Sequence, residues 1–247
     1  MPIRVILLAC GALLWLTSSL WADDSREDEA EASPPPASAV DPEAPECLRI
    51  GTSKVCIDAL QFTNARYAAF LRANGGECDG VSCLDPEEEG ARVVKREKDG
   101  ARQWTVKPGY ENHPVVTVTW QGAKAACERI GRRLCTVAEW RAACEGPNRS
   151  RFPYGNEFDP KACNGFESGR LKTVPVGSLE DCVGALDGLY DMSGNVWEWS
   201  ATCTPRKCVV FGGSYRSYNE YSRCDVTDGF TPSLGERFTG FRCCADL

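Results

Sequence analysis

The amino-acid sequence predicts an α+β fold: an irregular single domain over residues 47–247, rich in disulfides and poor in regular secondary structure. Three segments before residue 150 carry helix signals. From Arg151 onward the helical period is lost, and short stretches rich in glycine, asparagine and aromatic residues follow. Cysteine is the third observation: of the fifteen in the chain, all but Cys10 lie in this region. Their even number is typical of a disulfide framework in an exported chain.

Residues 1–22 are typical of a secretory signal peptide. Arg4 precedes an apolar run over residues 5–16, and cleavage is expected after Ala22. The run is too short to cross a bilayer comfortably, so no membrane span is expected in the mature chain. A lipid anchor at Cys10 is the alternative, because the residues before it resemble a lipobox. We therefore expect a secreted or periplasmic protein of a bacterium.

Residues 23–46 form an acidic segment rich in proline and alanine, which predicts a disordered tether. The segment carries nine acidic residues and one basic residue, a charge of −8, and Arg4 adds +1. Since the whole chain has a formal net charge of −7, residues 47–247 sum to zero. The folded region therefore lacks the basic surplus that is typical of proteins that bind nucleic acid.

The first elements of the domain follow from local signals. Residues 47–62 predict a short hairpin, and a helix follows it. Thr63 or Asn64 caps this helix, and the glycines at residues 75–76 end it. The charged stretch that comes next is loop-like, with a hairpin expected around residues 98–100.

Two further helices are expected in the middle of the chain. Residues 113–120 predict a buried strand or an extended segment, and a second helix follows over about residues 121–130. Thr136 and Glu139 have the spacing of a capping box, in which each side chain bonds the backbone of the other residue. This box opens a third helix, which runs through Cys144.

The cysteines divide into local and distant groups. A zinc site explains them less well than disulfides, because the chain has one histidine and no Cys-x-x-Cys pair. Eight of the fourteen must pair over long distances, and their spacing leaves that connectivity open. Three local pairs could each clip a loop: Cys47/Cys56, Cys78/Cys83 and Cys203/Cys208.

The stretch from Asp191 to Trp199 stands out because it combines acidic residues, a glycine and two tryptophans. Asp191 and Glu198 supply carboxylate oxygens, and a tight turn at Gly194 can expose carbonyl groups between them. Calcium prefers such oxygen ligands. The alternative is a turn held in the core by its tryptophans, and spacing alone favours that alternative.

Seven segments in order give a resemblance to a known family. They are Asn112–Val116 with Trp120, Arg133–Trp140, Phe152–Asn156, Pro175–Ser178, Asp191–Trp199, Gly212–Tyr215 and Gly240–Cys243. With these segments, the chain resembles the formylglycine-generating enzyme family, also called the sulfatase-modifying factor family, over about residues 47–247. The resemblance implies a single irregular α+β domain related to C-type lectins. Active members of that family oxidise a cysteine of a sulfatase to formylglycine with copper and oxygen.

The resemblance implies a calcium site in the Asp191–Trp199 stretch. Asp191 and Glu198 would bind the ion through their side chains, and Gly194 and Val196 through their carbonyl groups. This agrees with the argument from oxygen ligands and favours the metal site over a core turn.

The resemblance also implies two long-range disulfides. Cys127 matches the family cysteine that pairs with Cys243, and Cys144 matches the one that pairs with Cys224. For the extra cysteines we hypothesise two more bonds: Cys163–Cys182 and Cys135–Cys244.

The sequence departs from the family at the copper site. Active members place two cysteines after the Gly-Gly-Ser-Tyr turn, where their thiolates hold Cu(I). Ser217 replaces the first, and the second falls near Ser222 or is lost in a small deletion. Cys224 matches a structural cysteine. His113 is the only histidine, which is incompatible with the histidine-bound iron of other relatives.

We therefore expect a calcium-stabilised binding or accessory module without copper-dependent oxidase activity. Trp197, Ser214, Ser217 and Arg242 match positions around the family pocket, which could hold a peptide, another protein segment or a glycan. The alternative is a formylglycine-generating type of oxidoreductase that acts on a protein cysteine through an atypical metal site.

Overall fold

The computed structural model describes residues 45–98 and 100–247. The expected signal peptide, Cys10, the tether up to residue 44 and turn residue 99 lie outside the described residues. The described helices are α1 (Asn64–Asn74), α2 (Trp120–Arg129) and α3 (Val137–Glu145). The strands are β1 (Cys47–Arg49), β2 (Val55–Asp58), β3 (Glu77–Cys78), β4 (Val81–Ser82), β5 (Val93–Lys98), β6 (Ala101–Val106), β7 (Arg133–Leu134), β8 (Trp197–Cys203), β9 (Cys208–Phe211), β10 (Thr227–Phe230), β11 (Thr239–Gly240) and β12 (Cys243–Asp246).

The local signals place the helices within one residue of their expected bounds. Thr63 caps α1, where its side chain accepts a hydrogen bond from the backbone of Arg66. Gly75 ends α1 with φ +91°, a left-handed conformation that glycine adopts without strain. Thr136 and Glu139 form the expected capping box of α3. No helix in the described part of the chain is long and apolar enough to cross a bilayer.

Two four-stranded sheets form the centre of the described residues. The first has the order β1-β2-β12-β7 and is antiparallel, so the expected hairpin of β1 and β2 lies beside the C-terminal strand. The second has the order β10-β9-β8-β11, in which β11 runs parallel to β8. The hairpin expected around residues 98–100 is present as the antiparallel pair β5 and β6.

Residues 113–120 are the extended segment, not the strand, of the two expected alternatives. Pro114 and Val118 make only isolated bridges there, and Thr117 has φ +63°. Positive φ is unfavourable for a β-branched residue and interrupts any ladder. Trp120, expected at the end of this segment, is instead the first residue of α2.

Strand β8 separates two hydrophobic clusters. Trp197 and Trp199 pack into one cluster, and Trp140 of α3 belongs to the other. Successive residues of a strand point to opposite faces. Glu198, between the two tryptophans, is therefore directed toward Trp140, and its carboxylate is 99 % buried.

Seven disulfides join all fourteen cysteines of the described residues. The local pairs are the three that the spacing favours, and the pairs Cys127–Cys243 and Cys144–Cys224 are those that the resemblance implies. Cys135–Cys244 and Cys163–Cys182 match the hypothesis for the extra cysteines. Because adjacent residues of β12 face opposite ways, Cys243 reaches α2 while Cys244 reaches the segment before α3.

Candidate functional site

The turn that begins at Asp191 has an unusual backbone. Asp191, Gly194 and Asn195 all have positive φ, at +59°, +77° and +61°. A Cβ atom at Gly194 would lie 2.5 Å from the carbonyl oxygen of Asn164, so only glycine fits there. The side chain of Asn195 locks the turn, since it donates to Gln61 at 3.1 Å and accepts from the backbone of Val174 at 3.0 Å.

Glu198 forms a buried ion pair at the centre of the domain. Its carboxylate accepts from Arg242 Nε and Nη2 at 2.8–3.0 Å. It also accepts from Trp140 Nε1 at 2.8 Å and from Gln61 Nε2 at 3.0 Å. The guanidinium of Arg242 uses its other protons on the carbonyl groups of Asp58 and Tyr190. Buried charges need partners of this kind, and here each charge is fully hydrogen-bonded.

Asp191 is less well satisfied than Glu198. Its Oδ2 accepts from the backbone of Gly177 at 2.7 Å, whereas its Oδ1 is buried without a hydrogen-bond partner. Burial raises the pKa of this carboxyl to about 6; the Gly177 N–H and the charge of Arg242 oppose the rise, and the charge of Glu198 adds to it. An unpaired carboxylate oxygen in the core costs free energy unless a cation or proton meets it.

The donor chemistry at this turn fits a hard cation on the Asp191 side. Asp191 and Glu198 with Arg242 leave a buried charge of −1, so a cation at this turn would meet net negative charge. No cluster of three or more acidic, histidine or cysteine side chains occurs in the described residues, so carbonyl groups would have to supply much of the ligand set. Of the expected ligands, Glu198 is engaged with Arg242, and the carbonyl of Val196 accepts from Gln61 at 3.3 Å.

A cavity of about 290 Å³ opens beside β8. Three of the four expected pocket residues line it: Trp197, Ser214 and Ser217. The fourth, Arg242, lies in the core with Glu198 and is 99 % buried. The other lining residues all follow β9 in the chain; they are Arg216, Tyr218, Tyr221, Asp228, Phe230 and Phe238.

Ser214 and Ser217 form the polar wall of this cavity. The turn before them needs two glycines, because Gly212 and Gly213 have φ +91° and +74°. The hydroxyls of Ser214 and Ser217 lie 3.2 Å apart, and Ser217 Oγ also accepts from the backbone of Ser214 at 3.0 Å. Ser214 Oγ accepts from the backbone of Arg216 at 3.2 Å. The geometry is that of a hydrogen-bonded turn.

Thiolates are absent from this wall in the described residues. Ser217 is where the resemblance expects the first metal cysteine, and Ser222 is buried with its hydroxyl unpaired. Cys224, the nearest cysteine along the chain, is bonded to Cys144. The side chains present are hydroxyls, which are harder donors than thiolates and poor ligands for Cu(I).

His113 does not line the cavity and contacts residues of neighbouring loops. Its Nδ1 lies 3.0 Å from the hydroxyl of Thr173, and its ring packs 4.9 Å from that of Tyr110. Burial lowers the pKa of His113; the hydrogen bond with Thr173 opposes this effect, and the charges of Arg92 and Lys172 add to it. The residue joins two loops of the domain.

Sequence reasoning missed several residues of the site. Gln61 bonds both the turn and Glu198, yet it lies more than a hundred residues before them. Asp228 and Phe230 reach the cavity because β10 pairs with β9. Arg216 was the one residue that a local signal could have revealed, since it lies between the two serines of the turn.

Comparison with known proteins identifies relatives over most of the chain. The profile of the family described as "FGE-sulfatase: Sulfatase-modifying factor enzyme 1-like domain" matches residues 28–247. The "Formylglycine-generating enzyme" of Thermomonospora curvata is 30% identical, and the match covers 78% of this chain and 82% of that protein. In structure, CarF superposes with a TM-score of 0.59 at 23% identity, covering 78% of this chain and 86% of CarF.

Two further relatives match only part of longer proteins. "Serine/threonine-protein kinase pkn1" of Chlamydia caviae is 32% identical over 76% of this chain, and the chain spans about a third (32%) of its length. "Inactive C-alpha-formylglycine-generating enzyme 2" of Mus musculus is 36% identical over 53% of this chain and 48% of that protein.

Proposed function

Because the chain belongs to the sulfatase-modifying factor family, we propose that it is an exported, calcium-stabilised binding or accessory module without copper-dependent oxidase activity. Residues 47–247 are the functional domain, and residues 1–22 and 23–46 are the signal peptide and the tether. Seven disulfides support export, since such bonds are typical of chains that fold in an oxidising compartment.

The observation that carries the proposal is the state of the thiols. Copper chemistry of the formylglycine type needs two soft thiolates beside the cavity. In the described residues every cysteine is in a disulfide, and hydroxyl groups stand at Ser217 and Ser222. A serine hydroxyl cannot hold Cu(I) as a thiolate does, so the cavity retains its walls without the metal donors.

Calcium is proposed at Asp191, Gly194, Val196 and Glu198. The Asp191 Oδ1 atom supports this assignment, because it is a buried carboxylate oxygen without a hydrogen-bond partner. A bound divalent cation would hold the carboxylate ionised and supply the compensating charge at the turn. Its role would be structural, since the turn leads into β8, whose first residue, Trp197, lines the cavity.

A binding role agrees with the range of relatives. The mouse relative carries the word inactive in its name, so loss of the oxidase reaction has a precedent in that protein. The cavity remains open beside Trp197, and a peptide, protein segment or glycan could occupy it.

Thiol titration under native and denaturing conditions, without reductant, tests the proposal. We expect the mature protein to react with no thiol reagent and to bind no Cu(I) at the cavity. Ser217→Cys is the positive control, because it adds one thiol at the cavity wall and should give one labelled site. Two free thiols that bind Cu(I), together with oxidation of a cysteine peptide, would establish the oxidoreductase alternative instead.

A further inference from the structure

The cavity beside Trp197 is built mainly from aromatic rings. Phe230 packs edge-on against Trp197 at 6.2 Å between ring centroids, and Phe238 packs against Phe230 at 5.7 Å. Tyr218 and Tyr221 stand at the rim, with 51% and 44% of their surface exposed. Two exposed tyrosines over an aromatic floor form a recess that favours an apolar group.

Three polar side chains that line this cavity already have partners. The hydroxyls of Ser214 and Ser217 bond one another and the backbone of their own turn. Asp228 accepts from the backbone of Gly229 and lies 3.8 Å from Lys207. A sugar ring in this recess would lose water from several hydroxyls and find few free partners, which costs free energy. An apolar side chain loses nothing of this kind.

A charged groove of about 570 Å³ continues from the cavity, because Arg216 lines both. Five cationic and three acidic side chains line this groove, a surplus of two positive charges. Among the described residues, no carboxylate lies within ion-pair distance of Arg92, Lys172 or Arg216, whereas Arg237 is paired with Glu89. The cations that line the groove are Arg92, Lys107, Lys172, Arg216 and Arg237.

Tyr215 lines the groove together with these cations. Burial raises the pKa of its phenol, and the charges of Arg216, Arg237 and Arg92 all oppose that rise. The surplus of two positive charges along the groove would attract an anionic group bound there.

We propose that the aromatic cavity and the charged groove bind one ligand, an acidic peptide segment of a partner protein with an apolar anchor residue. The anchor enters the cavity between Tyr218 and Tyr221, and carboxylates of the same segment meet Arg216, Arg92 and Lys172. Arg216 lies where the cavity meets the groove, and it sets the spacing between the anchor residue and the carboxylates of the peptide. This inference rests on the proposed binding function and names the class of partner for that site.

Fluorescence polarisation with the disulfide-bonded mature protein tests the inference. The probe is a labelled peptide with one phenylalanine among glutamates and aspartates and no cysteine. One comparison peptide has alanine for the phenylalanine, and another has lysines for the acids. We expect the probe alone to bind, and its affinity to fall as salt is raised, because exposed charges are screened.

Variants of exposed residues separate the two halves of the site. Tyr218→Ala should weaken binding of the probe by about tenfold, since buried aromatic contacts dominate such interfaces. Arg216→Ala should weaken it by about threefold to fivefold and reduce its dependence on salt. Leu247→Ala and Arg129→Ala remove an equally exposed apolar side chain and arginine elsewhere, and should leave affinity unchanged.

Three results would overturn the inference. The first is equal binding of the probe and the lysine peptide. The second is an affinity that neither Tyr218→Ala nor Arg216→Ala changes. The third is no peptide binding but specific binding of an acidic oligosaccharide, such as an oligogalacturonate. None of these results frees a thiol or creates copper binding, so failure here is distinct from failure of the proposed loss of oxidase chemistry.

Discussion

Replacing Asp191 with asparagine separates the cost of burying a carboxylate from the stabilisation that calcium would supply. Burial raises the pKa of Asp191 from an ordinary 3.8 to about 6. The difference of about two pKa units corresponds to about 3 kcal/mol, because one unit is about 1.4 kcal/mol. In a chelator at neutral pH, the ionised side chain therefore opposes folding by up to about 3 kcal/mol.

The sign of the pH dependence follows from the direction of that pKa change. The folded state binds the Asp191 proton more tightly than the unfolded state does. In chelator, the free energy of unfolding should therefore rise as pH falls through about 6 toward about 4, after which this residue adds nothing more. Asp191→Asn should remove this contribution and should be more stable than the native protein at neutral pH.

Calcium should reverse the ranking. A ligand that binds only the folded state stabilises it by about 4.1 kcal/mol at a thousandfold excess over Kd, which exceeds the cost of about 3 kcal/mol. The native protein should gain that stability, and Asp191→Asn should gain little, in urea unfolding followed by tryptophan fluorescence. Asp181→Asn, at an exposed aspartate, is the matched control. The reasoning fails if Asp191→Asn lowers stability equally in calcium and in chelator.

Three further predictions concern the core, the single histidine and the disulfides. Trp140→Phe removes the hydrogen bond to the buried Glu198 carboxylate and should cost about 1.5–3 kcal/mol of unfolding free energy. Trp120→Phe removes a hydrogen bond to the Ser200 carbonyl and should cost about 1 kcal/mol. Equal losses of unfolding free energy in the two variants would contradict a special role for the charged pair. The one imidazole signal in an NMR titration should have its midpoint below 6.5, because burial lowers the pKa of His113; stability from this residue should therefore decrease as pH falls through about 6.5. Replacing both cysteines of the Cys127–Cys243 disulfide by alanine should cost about 5 kcal/mol of unfolding free energy, against about 2 kcal/mol for Cys78–Cys83. The reason is chain entropy, since the first disulfide closes a loop of 116 residues and the second a loop of 5. Thermal unfolding measures both losses, and the reverse order would contradict chain entropy as the main cause.

Local elements were predicted well because their causes lie within a few residues. The caps at Thr63 and Thr136 act on the backbone three residues away, and Gly75 ends α1 through its own conformation. The short disulfides are equally local. The segment over residues 113–120 was ambiguous for the opposite reason, since the positive φ of Thr117 depends on contacts with a distant loop.

The site was predicted less completely, because its members come from distant parts of the chain. The sequence indicated Trp197, Ser214 and Ser217 as pocket residues, because they lie in or next to the motifs that carry the family resemblance. It also indicated Arg242 as a pocket residue, but the side chain turns to the buried Glu198, 44 residues earlier. No pattern in the sequence revealed that a buried carboxylate on β8 would need that guanidinium as its partner.

By itself, the sequence determined the helices and their caps, the even set of cysteines, the neutral charge of the domain and the presence of a serine at residue 217, where the family resemblance leads us to expect a cysteine. Each of these depends on residue identity or on neighbours within one turn. Only the tertiary structure decided that Glu198 pairs with Arg242, that Asp191 keeps an unpaired oxygen, and that Arg216 joins an aromatic cavity to a cationic groove. Burial and charge pairing are properties of the surroundings of a side chain, and folding brings those surroundings together from residues far apart in the chain.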